Sequence, residues 1–347
     1  MKKILFIAPH LSTGGLPQYL VKKVELLKDE FEIYLIEYNN STGGKLVIQK
    51  NKILDLVDND KFFMLDDNKE ITLEIINRIK PDIVHLEEIP EYFMNYDLAR
   101  KIYNVDRDYY IVETSHDSSF NTNHKIFFPD KFMFVSNWQI QQYHNIDIPK
   151  ILVEYPIEYQ DRLNRVKTLT ELGLDPSKKH ILHVGLFTPR KNQKEFFEYA
   201  RALPEYQFHC LGNQAGNFEY YWKPLMEDKP DNIVWWNERK DVERFYGCMD
   251  LFLFTSRGSD NDKETMPLVI REAISHQIPQ LLYNLPVYLN YFDKFDSIGY
   301  LNFDDFDANV KLIKSTLNKD GINPEEEAYV VCTYPVSDAI TQTTKEC

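Results

Sequence analysis

Two glutamates eight positions apart, Glu264 and Glu272, frame the most chemically loaded stretch of this sequence, residues 250–283. It reads as an apolar strand, a polar loop, a helix that starts at a proline, and a second apolar strand. Proline is comfortable in a first helical turn, so the helix is expected over 268–275, with Thr265 or Met266 as its cap. Glu264 then stays in the loop. Glu272 falls about one and a half turns further on, with its side chain leaning back toward the helix start. Carboxylates accept hydrogen bonds from paired hydroxyls, and the free N–H groups of a first helical turn suit a diphosphate. A nucleotide sugar has that layout, one carboxylate meeting the sugar and the other the ribose. Two solvated surface charges would leave the same spacing.

Other candidates lie far away in the chain. Arg190 and Lys191 occupy a loop after an apolar strand (residues 179–184) and can bring positive charge to a diphosphate. His116 and Asp117 directly follow a strand over 109–113. In a parallel sheet, ligands bind at the carboxyl ends of the strands. Gly14 and Gly15 separate the first apolar run (residues 2–8) from an amphipathic stretch with Leu20, Val24 and Leu27 at helical spacing. A glycine pair there lets backbone N–H groups approach a phosphate at a helix start, or simply makes a tight turn.

The elements that must hold these residues alternate. Continuous apolar runs at 2–8, 31–37, 82–86, 109–113 and 131–135 read as buried strands, with helical stretches between them, including one over 70–80 ended by Pro81. Residues 39–52, rich in lysine and asparagine, read as a polar loop. Around 149–165 the pattern weakens, with Pro149 and Pro156, and a linker is expected. The strand, loop and helix opening then recurs at 179–202, followed by strands at 206–212, 233–236, 251–254 and 298–303 and helices at 241–249 and 308–317. Strands alternating with helices imply parallel α/β sheets, here in two Rossmann-type halves.

Length and composition bound the rest. A chain of 347 residues exceeds one usual core. With 40 basic and 54 acidic side chains the formal charge is −14, and no basic cluster offsets it, so a nucleic-acid partner is disfavoured. Cys210, Cys248, Cys332 and Cys347 form neither a CxxC pair nor a disulfide framework, which fits a reducing, cytoplasmic setting. The first apolar run is too short for a signal-peptide core, and no window is long enough to span a bilayer. Peripheral membrane contact stays open, although the first half carries no pronounced basic amphipathic helix.

Beyond these readings, the stretch around Glu264-x7-Glu272 resembles the signature of retaining GT-B glycosyltransferases of the GT4 family. The resemblance extends to Gly14-Gly15, Pro81-Asp82-Ile83-Val84-His85, Ser115-His116-Asp117, Val135-Ser136-Asn137, and Val184-Gly185 with Arg190-Lys191. It implies two Rossmann-like domains with parallel sheets facing across a cleft: residues 1–155 binding the acceptor, 156–330 binding the nucleotide sugar, and 331–347 beginning a C-terminal crossing helix. It also implies sugar transfer from a nucleotide-diphosphate sugar to a hydroxyl of a glycan, a lipid-linked or a small-molecule acceptor, with neither cofactor nor metal. His116 and Glu264 would then be catalytic. Gly14, Gly15, Arg190, Lys191, Thr265, Met266, Leu268 and Glu272 would hold the donor, and the cations would stabilise the leaving diphosphate.

Two residues depart from the family pattern. Leu186 stands where an arginine usually follows the strand's glycine, and Pro267 replaces a glycine that could donate a backbone hydrogen bond. Three rivals remain. Asp260-Asn261-Asp262 matches the metal-binding D-x-D of the GT-A fold. Epimerases and phosphorylases share the two-domain fold, and a non-catalytic nucleotide-sugar or glycan-binding protein would too.

Overall fold

The computed structural model describes residues 1–12, 14–39, 47–155, 160–214, 216–258, 264–288, 291–292 and 295–318. The Asp260-Asn261-Asp262 triplet and the expected crossing helix lie outside them. The chain divides into two compact units, one built from Met1–Pro156 and the other starting at Ile157.

The first unit is a seven-stranded sheet of β1 (Lys2–Ala8), β2 (Phe31–Glu37), β3 (Phe62–Met64), β4 (Ile83–Leu86), β5 (Tyr110–Ser115), β6 (Lys131–Phe134) and β7 (Lys150–Leu152), in the order β3-β2-β1-β4-β5-β6-β7. Every pairing is parallel. Residues Ile4 to Ala8 of β1 are fully buried, as expected of a central strand covered on both faces. The helix Gly15–Leu27 leaves β1 behind Gly14, whose φ of 128° favours glycine. Leu20, Val24 and Leu27 face the core as the spacing predicts, and so does Lys23. The helix Ile71–Ile79 stops at Lys80, which turns into the left-handed region ahead of Pro81.

The second unit repeats the plan with six parallel strands: β8 (His180–Val184), β9 (Gln207–Leu211), β10 (Ile233–Trp235), β11 (Leu251–Phe254), β12 (Gln280–Leu282) and β13 (Ile298–Tyr300). Their order is β10-β9-β8-β11-β12-β13. Gly212, just past β9, has φ 145°, and a Cβ there would stand 2.0 Å from the Gly185 carbonyl oxygen. Only glycine lets the ends of β8 and β9 approach so closely. Beneath the sheet His180 Nδ1 pairs with His209 Nε2 at 2.9 Å, and the Trp236 indole N–H donates to His209 Nδ1 at 3.0 Å.

Four sequence expectations need correction. The stretch read as a linker contains β7, whose Lys150-Ile151-Leu152 pairs with Phe132, Met133 and Phe134 of β6. Its flanking prolines obscured three residues that need only one strand edge. The loop expected over 39–52 ends in the helix Ile48–Leu54, which buries Ile53. The edge strand β3 was not expected, although it lies in the short apolar run Phe62-Phe63-Met64-Leu65. Pro267 is not inside the first helical turn but is itself the N-cap, extended at φ −60° and ψ 123°, so neither Thr265 nor Met266 holds the cap position of the helix Leu268–Ser275.

Two stability predictions arise here. Gly212→Ala should lower the unfolding free energy by at least about 2 kcal/mol, from backbone strain alone before the clash is counted, measurable by urea unfolding. Burial pushes His209 down to about 3 and His183 down to about 4. An unfolded ring takes up a proton near 6.5, so the stability these neutral rings provide is complete above that pH and falls as pH drops below it. Between pH 7.5 and 5.5 the second unit should therefore lose roughly 3 kcal/mol from the two rings, read as a falling urea midpoint.

Candidate active site

In each sheet the winding reverses beside the first strand, between β1 and β4 in the first unit and between β8 and β11 in the second. Such switch points leave a crevice at the carboxyl ends of the strands. Each of these two crevices holds a buried lysine–glutamate pair.

In the second unit, Glu264 is 4% exposed and accepts a 2.6 Å hydrogen bond from Lys191 Nζ. Arg190 Nε lies 3.9 Å from the same oxygen, and the Ser256 hydroxyl is 2.9 Å from it. Burial alone would raise the Glu264 carboxyl, but Lys191, Arg190 and Ser256 outweigh it and hold it below the ordinary carboxylate range. The turn carrying the cations is itself fixed. Pro189–Lys191 forms a single 3₁₀ turn with Thr188 as its cap, and Asn192 adopts the left-handed region behind it. The His183 ring donates from Nε2 to the Lys191 carbonyl at 3.1 Å, and the Thr255 hydroxyl lies 2.9 Å from the Asn192 carbonyl. Strands β8 and β11 thus grip the turn from beneath.

The other donor-side candidates surround the start of Leu268–Ser275. Thr265 and Met266 are buried, and Leu268 is half-buried as the first helical residue. Glu272 sits in the helix as expected and accepts a hydrogen bond from the Tyr246 hydroxyl at 3.0 Å. Arg257, three residues past β11, is clamped by Glu195, with Nε and one terminal nitrogen each at 2.9 Å from a carboxylate oxygen. The Tyr283 and Tyr199 hydroxyls also donate to Glu195. This clamp fixes Arg257 just past β11.

In the first unit, His116 follows β5. Its Nδ1 lies 2.8 Å from the Tyr155 hydroxyl, its Nε2 3.4 Å from Glu87 Oε2, and its backbone N–H donates to Glu88 Oε2 at 3.2 Å. Burial lowers the ring's pKa, with Glu87 pulling it upward and Lys23 downward. Gly14 and Gly15 are exposed at the start of the helix that carries Lys23. Lys23 Nζ reaches Glu87 Oε1 at 2.6 Å, and neither side chain is exposed.

The sequence reading missed Lys23, Glu87, Ser256, Tyr246 and Tyr155. Lys23 was detectable as a lysine on the apolar stripe between Leu20 and Val24, and Glu87 as an acid directly after a buried strand. Among the described residues no cluster of three or more metal-ligating side chains occurs, and no helix is long and apolar enough to cross a membrane.

Residues 165–329 match the family model described as "Glycosyl transferases group 1". The chain is 24% identical over 205 residues to the processive diacylglycerol alpha-glucosyltransferase of Acholeplasma laidlawii, covering 56% of this chain and 59% of that protein. It is 28% identical over 130 residues to the alpha-galactosylglucosyldiacylglycerol synthase of Streptococcus pneumoniae, covering 35% of this chain and 33% of that protein. The matches thus span about 59% or less of these relatives' length. Among solved structures, Anabaena HepE in complex with UDP-glucose superposes with a TM-score of 0.76 at 12% identity over all of both chains. WaaG, a glycosyltransferase involved in lipopolysaccharide biosynthesis, gives 0.68 at 13% identity over 99% of each. The fold is that of GT-B proteins, two Rossmann-like α/β units each built on a parallel sheet.

The Lys191–Glu264 pair has a measurable energetic signature. Removing one partner of a buried pair strands the other charge, so Lys191→Met is expected to cost about 3 kcal/mol in urea unfolding. The same change in a Glu264→Gln background should cost about 1 kcal/mol or less, a coupling that a double-mutant cycle reads directly.

Proposed function

We propose that this protein transfers a hexose from a uridine-diphosphate sugar to a lipid-linked acceptor hydroxyl, with retention at the anomeric carbon and without a metal ion. One observation carries the reading: Arg190 and Lys191 converge on Glu264 beside the start of the helix that presents Glu272, within the segment that matches the glycosyltransferase model. The donor class is supported by the likeness to HepE in complex with UDP-glucose, and the acceptor class by the two diacylglycerol-lipid relatives.

In this reaction Glu264 receives hydroxyls of the transferred sugar and Glu272 those of the ribose. Arg190 and Lys191 stabilise the diphosphate as the sugar bond breaks, and the first-turn N–H groups following Thr265, Met266 and Leu268 add to that charge stabilisation. A leaving phosphate oxygen takes the acceptor's proton, so no separate strong base is needed. In the first unit, His116 is the second catalytic residue, and Gly14 and Gly15 offer backbone N–H groups to a phosphate. The enzyme works in the cytoplasm, in peripheral contact with the membrane that holds its acceptor.

The test is UDP release from UDP-glucose with and without diacylglycerol vesicles, in buffer and in EDTA. Turnover should require the vesicles and survive the chelator. Glu264→Ala and His116→Ala should lower kcat at least about 10²-fold. Glu272→Ala should raise the donor KM roughly tenfold by removing charge-assisted hydrogen bonds. Near-native kinetics in all three variants, or donor binding without turnover, would overturn the assignment.

A further inference from the structure

The pair Lys23–Glu87 lies directly against His116, and its geometry dictates which ring nitrogen carries the proton. Glu87 Oε1 takes the Lys23 ammonium at 2.6 Å, while Oε2 faces His116 Nε2 at 3.4 Å. Burial would raise the Glu87 carboxyl, but Lys23, then His85 and His116, draw it far below the ordinary range. An ionised carboxylate has only acceptor oxygens, so the nitrogen facing it must donate. The proton belongs on Nε2, and Nδ1 is left as an acceptor, which the Tyr155 hydroxyl occupies at 2.8 Å. The ring has little freedom to turn away, because it stacks on Tyr155 at 5.9 Å and 10° and meets the edge of Tyr19 at 5.4 Å.

The surroundings agree with this assignment. Lys23 also approaches His85 Nε2 and Thr114 Oγ1, each at 3.4 Å, and its ammonium stands 4.5 Å from the Tyr19 ring centroid. His85 Nε2 therefore accepts, from Lys23 or from the Thr114 hydroxyl 2.7 Å away, and burial keeps that ring neutral by pushing it down to about 3. His10, past the end of β1, is itself lowered chiefly by burial, with Glu37 pulling it upward and His116 downward. Glu88 receives the His116 backbone N–H from below. Helix Gly15–Leu27, β4 with the residues directly after it, β5 and the segment after β7 thus all contribute polar groups to the ring's environment.

We propose that Glu87, kept ionised by Lys23, is the positioning residue of His116: it fixes the ring as the Nε2–H tautomer and leaves Nδ1 as the atom through which His116 accepts a hydrogen bond from a substrate hydroxyl. Such a hydroxyl takes the place of Tyr155. The effect on rate rests on the reaction proposed above, whereas the tautomer does not.

The test uses the full chain labelled with ¹⁵N-histidine. Long-range ¹H–¹⁵N correlation distinguishes the two tautomers, and the His116 signals are those lost in His116→Gln. At pH 7.5 the wild type should show a protonated Nε2 and an unprotonated Nδ1. In Glu87→Gln, whose amide can donate as well as accept, the single tautomer should give way to a mixture. The double variant Lys23→Met/Glu87→Leu replaces the ion pair by apolar side chains of similar size, which buried sites tolerate, and should show the same mixture.

In turnover, Glu87→Gln should lower kcat by about 10- to 100-fold with the donor KM nearly unchanged, and Glu87→Asp should recover part of the loss. Loss of the anion makes the ring harder to protonate, so the acid limb of the kcat profile should move to lower pH. A wild-type ring protonated on Nδ1, or an unchanged tautomer in the double variant, overturns the proposal. Failure of the transferase reading would instead appear as absent turnover with the tautomer pattern intact.

Discussion

A charge buried in a protein interior survives only beside its opposite, and both units of this chain place such a pair where the winding of the sheet reverses. Lys23 meets Glu87 between β1 and β4, and Lys191 meets Glu264 between β8 and β11. In both cases the lysine follows the first strand of its unit and the glutamate follows the neighbouring strand on the other side. Desolvating these groups costs several kcal/mol per ion, so the local backbone must hold each pair tightly for the arrangement to persist. Much of the surrounding hydrogen bonding does so.

In the second unit, His183, Thr255 and Ser256 address the backbone carbonyls of the Arg190 turn, so the cations are positioned by the main chain beneath them rather than by their own flexible side chains. Glu195 performs a similar service for Arg257 on the strand side, gathering one guanidinium and two phenolic hydroxyls around a single carboxylate. In the first unit the corresponding support comes from helix Gly15–Leu27, which carries a glycine at its start and a lysine two turns further along, so the backbone at the crevice and the buried charge move as one body.

Much of the architecture was legible because strands covered on both faces must be apolar throughout. β2, β11 and the helix Leu268–Ser275 have the bounds expected from the sequence. The losses are also physical. β3 and β7 are three-residue edge strands, too short to show a period, and the helix Ile48–Leu54 has one fully buried side chain to mark it. Pro267 fits a helix start in two ways, and sequence does not separate the N-cap from the first turn. At the site, Glu264, Arg190 and Lys191 were legible as residue types after strands. Lys23 and Glu87 each carried a comparable signal, but their pairing was not legible, because 64 residues separate them and only the adjacency of β1 and β4 makes them neighbours.

If Lys191 and Glu264 hold the donor as proposed, their contact bears on selectivity. One ammonium cannot fully satisfy a buried carboxylate and a diphosphate at once. A bare nucleoside diphosphate that drew Lys191 toward itself would leave Glu264 under-compensated in the interior, whereas a sugar attached to that diphosphate brings hydroxyls that take over as its donors. In the proposed reaction the intact donor is therefore accommodated better than the product it becomes, and departure of the sugar itself restores the contact that loosens the spent nucleotide.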